Sequence, residues 1–302
     1  MLSKKNIICP ENLLNIAKTK GPVKVVIVNA GKLIAIESAK QAVDEGLIEP
    51  IFIGDKLSIE KFAVDIKWDI SKYEIINEPI ENNTALIAAK LASEKKVKII
   101  VKGHIHTDVL MKAVLKRDLN LIGKKRLSHV WHMTLEKNDK PFIITDGALN
   151  VLPKLETKIH ILRNSIDFAK RIGINRPKVS VLSATEEVLD SVPSSLDAKE
   201  LTSRAQSEGI EADVFGPLAF DNSVSESAAQ IKGIKNAVAG KTDILLVPNI
   251  ETGNGLVKMM IYFMGACAAG VVIGGKVPVV ITSRADSAPA RLASIAASIV
   301  AL

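Results

Sequence analysis

Ser283, Arg284, Asp286 and Ser287 stand together in the run Thr282-Ser283-Arg284-Ala285-Asp286-Ser287. A hydroxyl, a guanidinium and a carboxylate at one corner can hold an anion, polarise a carbonyl and orient or move a proton. The preceding run Val277-Pro278-Val279-Val280-Ile281-Thr282 reads as a strand that delivers these residues to the start of a helix, whose free amides favour negative charge. The plain alternative is that Asp286 or Ser287 only caps the helix and Arg284 is solvated.

Four other corners follow predicted strands: Asn29-Ala30-Gly31-Lys32, Lys102-Gly103-His104-Ile105-His106-Thr107, Gly216 to Asn222, and Pro248 to Gly255. Ligands of doubly wound sheets bind beyond the carboxyl ends of strands, although a glycine with polar neighbours there is often plain turn chemistry. Gly253-Asn254-Gly255 reads as a turn able to bring backbone amides near a phosphate. His104 and His106, or His129 and His132, have no carboxylate at a ligand offset, so no metal is expected. A GxxxxGK[ST] loop, a GxGxxG after the first strand and a GxSxG elbow are all missing. Nucleotide hydrolases, common dinucleotide enzymes and serine hydrolases are thereby disfavoured.

Positioning such corners takes alternating strands and helices, and the sequence supplies them. Val23 to Val28 is a strand followed by Gly31 and a helix from Leu33 to Glu45; strands at Pro50 to Gly54, Tyr73 to Asn77 and Lys98 to Val101 enclose a helix from Thr84 to Lys95. A second block has strands at Pro141 to Gly147, Lys178 to Ser183, Ala212 to Gly216 and Asp243 to Pro248, with helices at Thr157 to Arg171, Asp197 to Glu208 and Ser223 to Lys235. This alternation predicts an α/β chain with parallel sheets covered by helices on both faces, as two doubly wound α/β/α domains. The polar stretch Glu136-Lys137-Asn138-Asp139-Lys140 places a boundary near residue 141. Met259 to Gly275 carries no charge but is too short to span a bilayer and holds several glycines, so it reads as a buried helix, a turn and a strand.

Composition narrows the function. At 302 residues two domains are expected, and 47% hydrophobic with 24% charged residues excludes disorder. Forty Lys and Arg against 33 Asp and Glu give a net charge of +7, suited to anionic partners. Aromatic residues at 4% are too few for nucleic-acid stacking platforms. Cys9 and Cys267, far apart and without a CxxC pair, fit a reducing cytoplasm, and Met1 to Asn15 lacks the apolar core of a secretory signal.

Together these corners resemble the phosphate acetyl/butyryltransferase family over nearly the whole chain. The matching runs are Gly103 to Thr107, Leu127-Ser128-His129-Val130, Ile144 to Asn150, Gly216 to Asn222, Pro248 to Asn254 and the Ser-Arg signature Thr282 to Ser287. Asp221-Asn222-Ser223-Val224-Ser225 is most similar to the butyryltransferase branch. The resemblance implies two α/β domains related in fold to isocitrate and isopropylmalate dehydrogenases, a site in the cleft between them, and a carboxyl-terminal return to the first domain. The domains would then be 1–141 plus 272–302, and 142–271.

The implied reaction is reversible transfer of a short acyl group, butyryl favoured, from CoA to inorganic phosphate. Acyl-CoA and phosphate are its substrates, and a homodimer or larger homo-oligomer in the cytoplasm is implied, with no cofactor, metal, nucleic acid or membrane. Ser283 would hydrogen-bond the carbonyl oxygen or leaving sulfur, Arg284 would bind phosphate or the CoA side, and Asp286 would orient or transfer a proton. His104, Thr107, Asn254 and Ser287 would contact substrate. Two positions depart from acetyl-type members: Ile261 stands where they carry an arginine, and Ala290 where they carry an aspartate. With Met259, Met260, Phe263 and Met264, Ile261 would give an adaptable acyl wall, or simply the core face of a helix. The alternatives are a phosphate acetyltransferase, a non-catalytic acyl-CoA-binding protein, and a metal-dependent decarboxylating dehydrogenase of the same fold, for which no aspartate cluster is found.

Arg284→Ala is expected to cost about 2–4 kcal/mol of transition-state stabilisation in phosphate-dependent CoA release, with circular dichroism unchanged. Turnover within about threefold of the parent, with an unaltered phosphate KM, would exclude Arg284 from the site.

Overall fold

A computed structural model describes residues 2–136, 140–283 and 286–302. The chain forms two compact units, one of residues 7–125 with 269–302 and the other of residues 1–6 with 126–268. The first begins with α1 (Glu11–Lys18), β1 (Val23–Val28), α2 (Leu33–Asp44), β2 (Ile48–Gly54), α3 (Lys56–Asp65), β3 (Ile75–Asn77), α4 (Glu81–Ser93), β4 (Ile99–Lys102) and α5 (Thr107–Val114). The other contains β5 (Ser128–Thr134), β6 (Phe142–Thr145), α6 (Leu155–Arg171), β7 (Lys178–Leu182) and α7 (Pro193–Ser207). It continues through β8 (Asp213–Leu218), α8 (Phe220–Val224), α9 (Glu226–Ile231), β9 (Ile244–Leu246) and α10 (Ile250–Met259). Strand β10 (Cys267–Ile273) then carries the chain back to the first unit, which ends with β11 (Val279–Val280) and α11 (Ala288–Val300).

In the first unit the strand order is β3-β2-β1-β4-β11-β10. All pairs are parallel except β10 with β11, where Val272 faces Val279. From Val25 to Val28, β1 is buried on both faces, as the interior of a parallel sheet requires. Helix α2 turns Ala35, Ile36, Ala39 and Ala42 inward. It closes on Gly46 at φ 72°, where the Gly46 and Leu47 amides donate to Val43 and Ala42. That Schellman turn needs the left-handed conformation glycine adopts freely. The other unit is ordered β5-β6-β9-β7-β8, antiparallel only at β5 with β6. The chain is therefore mixed α/β, and the expectation of purely parallel sheets fails at these two pairs.

The unit boundary falls between residues 125 and 126 rather than near 141. Strand β5 pairs with β6, and the Asn164 side chain donates to the Arg126 carbonyl and the Ser128 hydroxyl, both at 2.9 Å. These bonds assign 126–136 to the second unit, while residues 137–139 of the polar stretch lie outside the described residues. The return falls between 268 and 269 instead of 271 and 272. The helix expected over Ser223 to Lys235 is two helices, because Ser225 is extended (φ −123°, ψ 116°) and its hydroxyl caps α9. Past α10 the chain makes a wide π turn at Met260–Met264, reverses at Gly265 with φ 72°, and enters β10. Among the described residues no helix is long and apolar enough to cross a membrane. Burial, reinforced by Glu45, pushes the Cys9 thiol up to about 12, which removes its thiolate at neutral pH.

Strand β5 buries two histidines, His129 at 1% and His132 at 3% exposure. The His129 ring lies 4.4 Å from that of Trp131, and His132 meets Phe168 edge-on at 6.4 Å. Burial lowers both from 6.5 to about 4, with Asp146 opposing the shift at His129. Below 6.5 the unfolded chain takes up protons that the folded chain refuses until about 4. Stability is therefore full above that window and lost as pH falls through it, by roughly 3 kcal/mol per imidazole. Thermal midpoints measured from neutral pH down to the lower edge of the window should fall, and more gently in His132→Phe. A flat profile, or the same slope in both proteins, contradicts this account.

Candidate active site

The site in the first unit is assembled where β1, β4 and β11 end. Gly103 follows β4, and a Cβ there would lie 2.5 Å from the Val28 carbonyl oxygen and 2.8 Å from that of Asn29. Only glycine permits this approach without backbone displacement. Across it the Gly103 amide donates to Val28 and the His104 amide to Asn29, both at 2.9 Å, while the Asn29 side chain donates back to the His104 carbonyl at 2.7 Å. Asn29 adopts φ 54°, a left-handed conformation that its short polar side chain tolerates.

These ends enclose a cavity of about 30 Å³, room for one or two water-sized groups and far too small for CoA. Ile34, Ala35 and Ala39 of α2 and Ile295 of α11 form its apolar wall. Lys102, His104, Thr282, Ser283 and Arg291 form the polar one. Lys102 Nζ donates to the Thr282 carbonyl at 3.4 Å.

Ser283 is exposed, and its amide donates to Asp286 Oδ2 at 2.7 Å, while the Asp286 amide returns to the Ser283 carbonyl at 3.2 Å. The corner is thus a closed loop in which Asp286 orients Ser283. Arg284 and Ala285 lie outside the described residues. Ser287 is the amino cap of α11, accepting from the Ala290 amide at 3.4 Å. Thr107 is the exposed first residue of α5 and does not line the cavity, whereas His104 does. Beside Thr107, Glu81 Oε1 accepts from the His106 amide at 2.6 Å and meets His106 Nδ1 at 2.8 Å. The amide bond is the main reason the Glu81 carboxyl sits below its ordinary range.

The sequence reading missed Arg291. It is 9% exposed, its Nη1 donates to the Asp286 carbonyl, and its Nε is buried without a hydrogen-bond partner. Its signal was present, since α11 reads Ala-Pro-Ala-Arg-Leu-Ala-Ser-Ile-Ala-Ala-Ser-Ile-Val with a single charge.

In the other unit Asn254 is exposed on α10 and its side chain donates to the Gly147 carbonyl at 3.4 Å. The turn expected at Gly253-Asn254-Gly255 is helical. Gly253 lets α10 lie against the loop after β6, where a Cβ on Gly147 would come within 2.8 Å of the Gly253 carbonyl carbon. The first turn of α10 has its own amides engaged: Asn249 caps it by accepting from the Thr252 amide at 2.9 Å and hydroxyl at 2.7 Å, and the Ile250 amide donates to the Val151 carbonyl at 2.9 Å. Asp146 is buried and saturated by the amides of His129, Ala148 and Leu149 and the side chain of Asn150, which makes it an anchor for that loop. Met260 and Ile261 lean on the core, while Met259, Phe263 and Met264 are exposed, so the Met-rich stretch is not a core face throughout. Among the described residues no three of His, Cys, Asp and Glu converge as metal ligands.

Comparison with known proteins agrees with the corner motifs. The family model "Phosphate acetyl/butaryl transferase" matches residues 71–299. A phosphate acetyltransferase of Rhizobium meliloti is 38% identical over 287 residues, covering 95% of this chain and 91% of the relative. A phosphate butyryltransferase of Clostridium acetobutylicum is 39% identical over 282 residues, covering 92% and 93%. Among solved structures, a branched-chain phosphotransacylase from Enterococcus faecalis superposes with a TM-score of 0.82 at 32% identity, covering 92% of this chain and 98% of its own. With the family model spanning most of the chain and both relatives matched nearly end to end, the chain belongs to the phosphate acetyl/butyryltransferase family.

Proposed function

We infer that this chain is a phosphate acyltransferase that moves a short acyl group reversibly between CoA and inorganic phosphate. The observation that carries the reading is Ser283, held by Asp286 in a closed loop on the wall of a small cavity shared with Lys102 and His104. A phosphate oxygen attacks the thioester carbonyl carbon, the C–S bond breaks, and the proton of hydrogenphosphate ends on the CoA sulfur. The barrier lies in holding two polyanions together and stabilising the oxyanion between them. The Ser283 hydroxyl donates to that oxyanion or to the leaving sulfur, and Arg284 neutralises phosphate or the CoA side.

Asp286 acts by orientation, because Oδ2 already accepts the Ser283 amide. Ala290 is buried in α11 and supplies no base. His104 contacts substrate at the cavity; Thr107, Asn254 and Ser287 remain as outer contacts, the last with its hydroxyl engaged as a cap. Butyryl is the favoured acyl group and acetyl the alternative, with no cofactor beyond the two substrates. Each unit is doubly wound in the manner of the isocitrate and isopropylmalate dehydrogenases, a reading supported by the alternation of helices with parallel strands. A cytoplasmic homodimer or larger homo-oligomer completes the picture.

Two experiments test this. Thiol release from acetyl-, propionyl- and butyryl-CoA should require phosphate, and kcat/KM should rise towards butyryl by roughly tenfold, the scale of two buried methylenes. An acetyl optimum makes the chain a phosphate acetyltransferase, and binding without release makes it a sensor. Asp286→Asn retains an acceptor for the Ser283 amide and should keep kcat within about fivefold, whereas Asp286→Ala should lose well over tenfold. Equal losses in both, with one limb of the pH profile gone, would assign Asp286 to proton transfer instead.

A further inference from the structure

Every residue of α11 from Ala290 to Val300 is buried, and Arg291 is the only charge among them. An arginine remains protonated at physiological pH, so this helix holds a fixed cation out of water. No carboxylate of the described residues pairs with it. Glu37 and Asp286 act on it only at longer range, and burial opposes its charge more strongly than they support it. A buried ion in that state is costly unless something anionic completes it.

The geometry shows which edge is available. Nη1 is committed to the Asp286 carbonyl, on the side of the guanidinium that faces back towards Cδ. That leaves the edge formed by Nε and Nη2, and Nε is buried without a partner. Two parallel N–H groups on this edge match the oxygens of a phosphate or carboxylate. Arg291 lines the same cavity as Ser283 and Lys102, so an anion on that edge would lie beside the loop assigned to the acyl carbonyl. The cavity is too small for the body of CoA, so only small groups such as an anion or the reacting end of the thioester can meet there.

We propose that Arg291 binds the phosphate that attacks the thioester, or equally the phosphoryl group of the acyl phosphate in reverse, through its Nε–Nη2 edge. The same guanidinium fastens the Ser283–Asp286 loop through Nη1, so filling the phosphate position and fixing the serine are one arrangement. Arg284 is then left to the CoA side. This assignment rests on the acyltransferase reading for the identity of its anion.

The test uses Arg291→Met, which keeps the apolar stem, and Arg291→Lys, which keeps the charge without the fork. Both are followed by phosphate-dependent thiol release and by thermal melts with and without inorganic phosphate. In Arg291→Met the phosphate KM should rise at least about tenfold, the acyl-CoA KM should stay within about twofold, and phosphate should no longer raise Tm. Arg291→Lys should fall between the two. An unchanged phosphate KM in a folded variant, even with a lower kcat, would make Arg291 only a strut for the loop and overturn the proposal. Should Arg291→Met fail to fold, a parental phosphate KM in Arg291→Lys overturns it equally. A parent that releases no thiol, yet is stabilised by phosphate through Arg291, would refute the acyltransferase reading and support the anion site.

Discussion

The absence of one side chain, at Gly103, sets the geometry on which the site depends. Any Cβ there would press on the carbonyl oxygens of Val28 and Asn29, so the ends of β1 and β4 meet only because none is present. Their contact lets three hydrogen bonds cross between the loops, two from backbone amides and one from the Asn29 side chain. Lys102 and His104 flank Gly103 and inherit their positions from that seam. The second unit uses the same device at Gly147 and Gly253, where two backbones approach closely enough to exclude a methyl group. In both places rigidity comes from backbone packing, while the side chains available for chemistry stand to either side.

At the Ser283 corner the restraint is polar. Asp286 contributes its carboxylate, its amide and its carbonyl to three different bonds, with the Ser283 amide, the Ser283 carbonyl and Arg291. A residue tied at three points in this way holds the shape of the corner. The loop is therefore organised around a negative charge on one side and a buried positive charge on the other. Such an arrangement fixes the Ser283 backbone from two sides through its amide and its carbonyl.

Much of this was legible in the sequence, and the failures have physical causes. The Ser283 corner was visible because a β-rich run delivers four polar residues to a helix start. The Gly103 corner was visible for the same reason, although only the folded backbone reveals that its glycine is needed for contact rather than for a turn. Gly253-Asn254-Gly255 misled because glycine is ambiguous between flexibility and close packing, and here it serves packing inside α10. Strand β5, Ser-His-Val-Trp-His-Met-Thr, was missed since its polar residues are buried and break the apolar pattern by which strands are recognised. Arg284, the most prominent residue of the signature, lies outside the described residues. Arg291 was passed over because an arginine on a helix ordinarily faces solvent, although the single charge in an otherwise apolar and small-residue α11 marks a helix covered on every side.

The path of the chain has a consequence for how the protein is made. Residues 7–125 and 269–302 build one unit, and the intervening 126–268 build most of the other. Ribosomes release the amino-terminal part first, so β4 emerges with its β11 neighbour still to be translated, and the Ser283 loop and the Arg291 helix follow only after the interposed segment. The interposed unit has its own sheet complete before then. Its strands can therefore pair while the first unit waits with an open edge at β4 until β11 emerges and covers it.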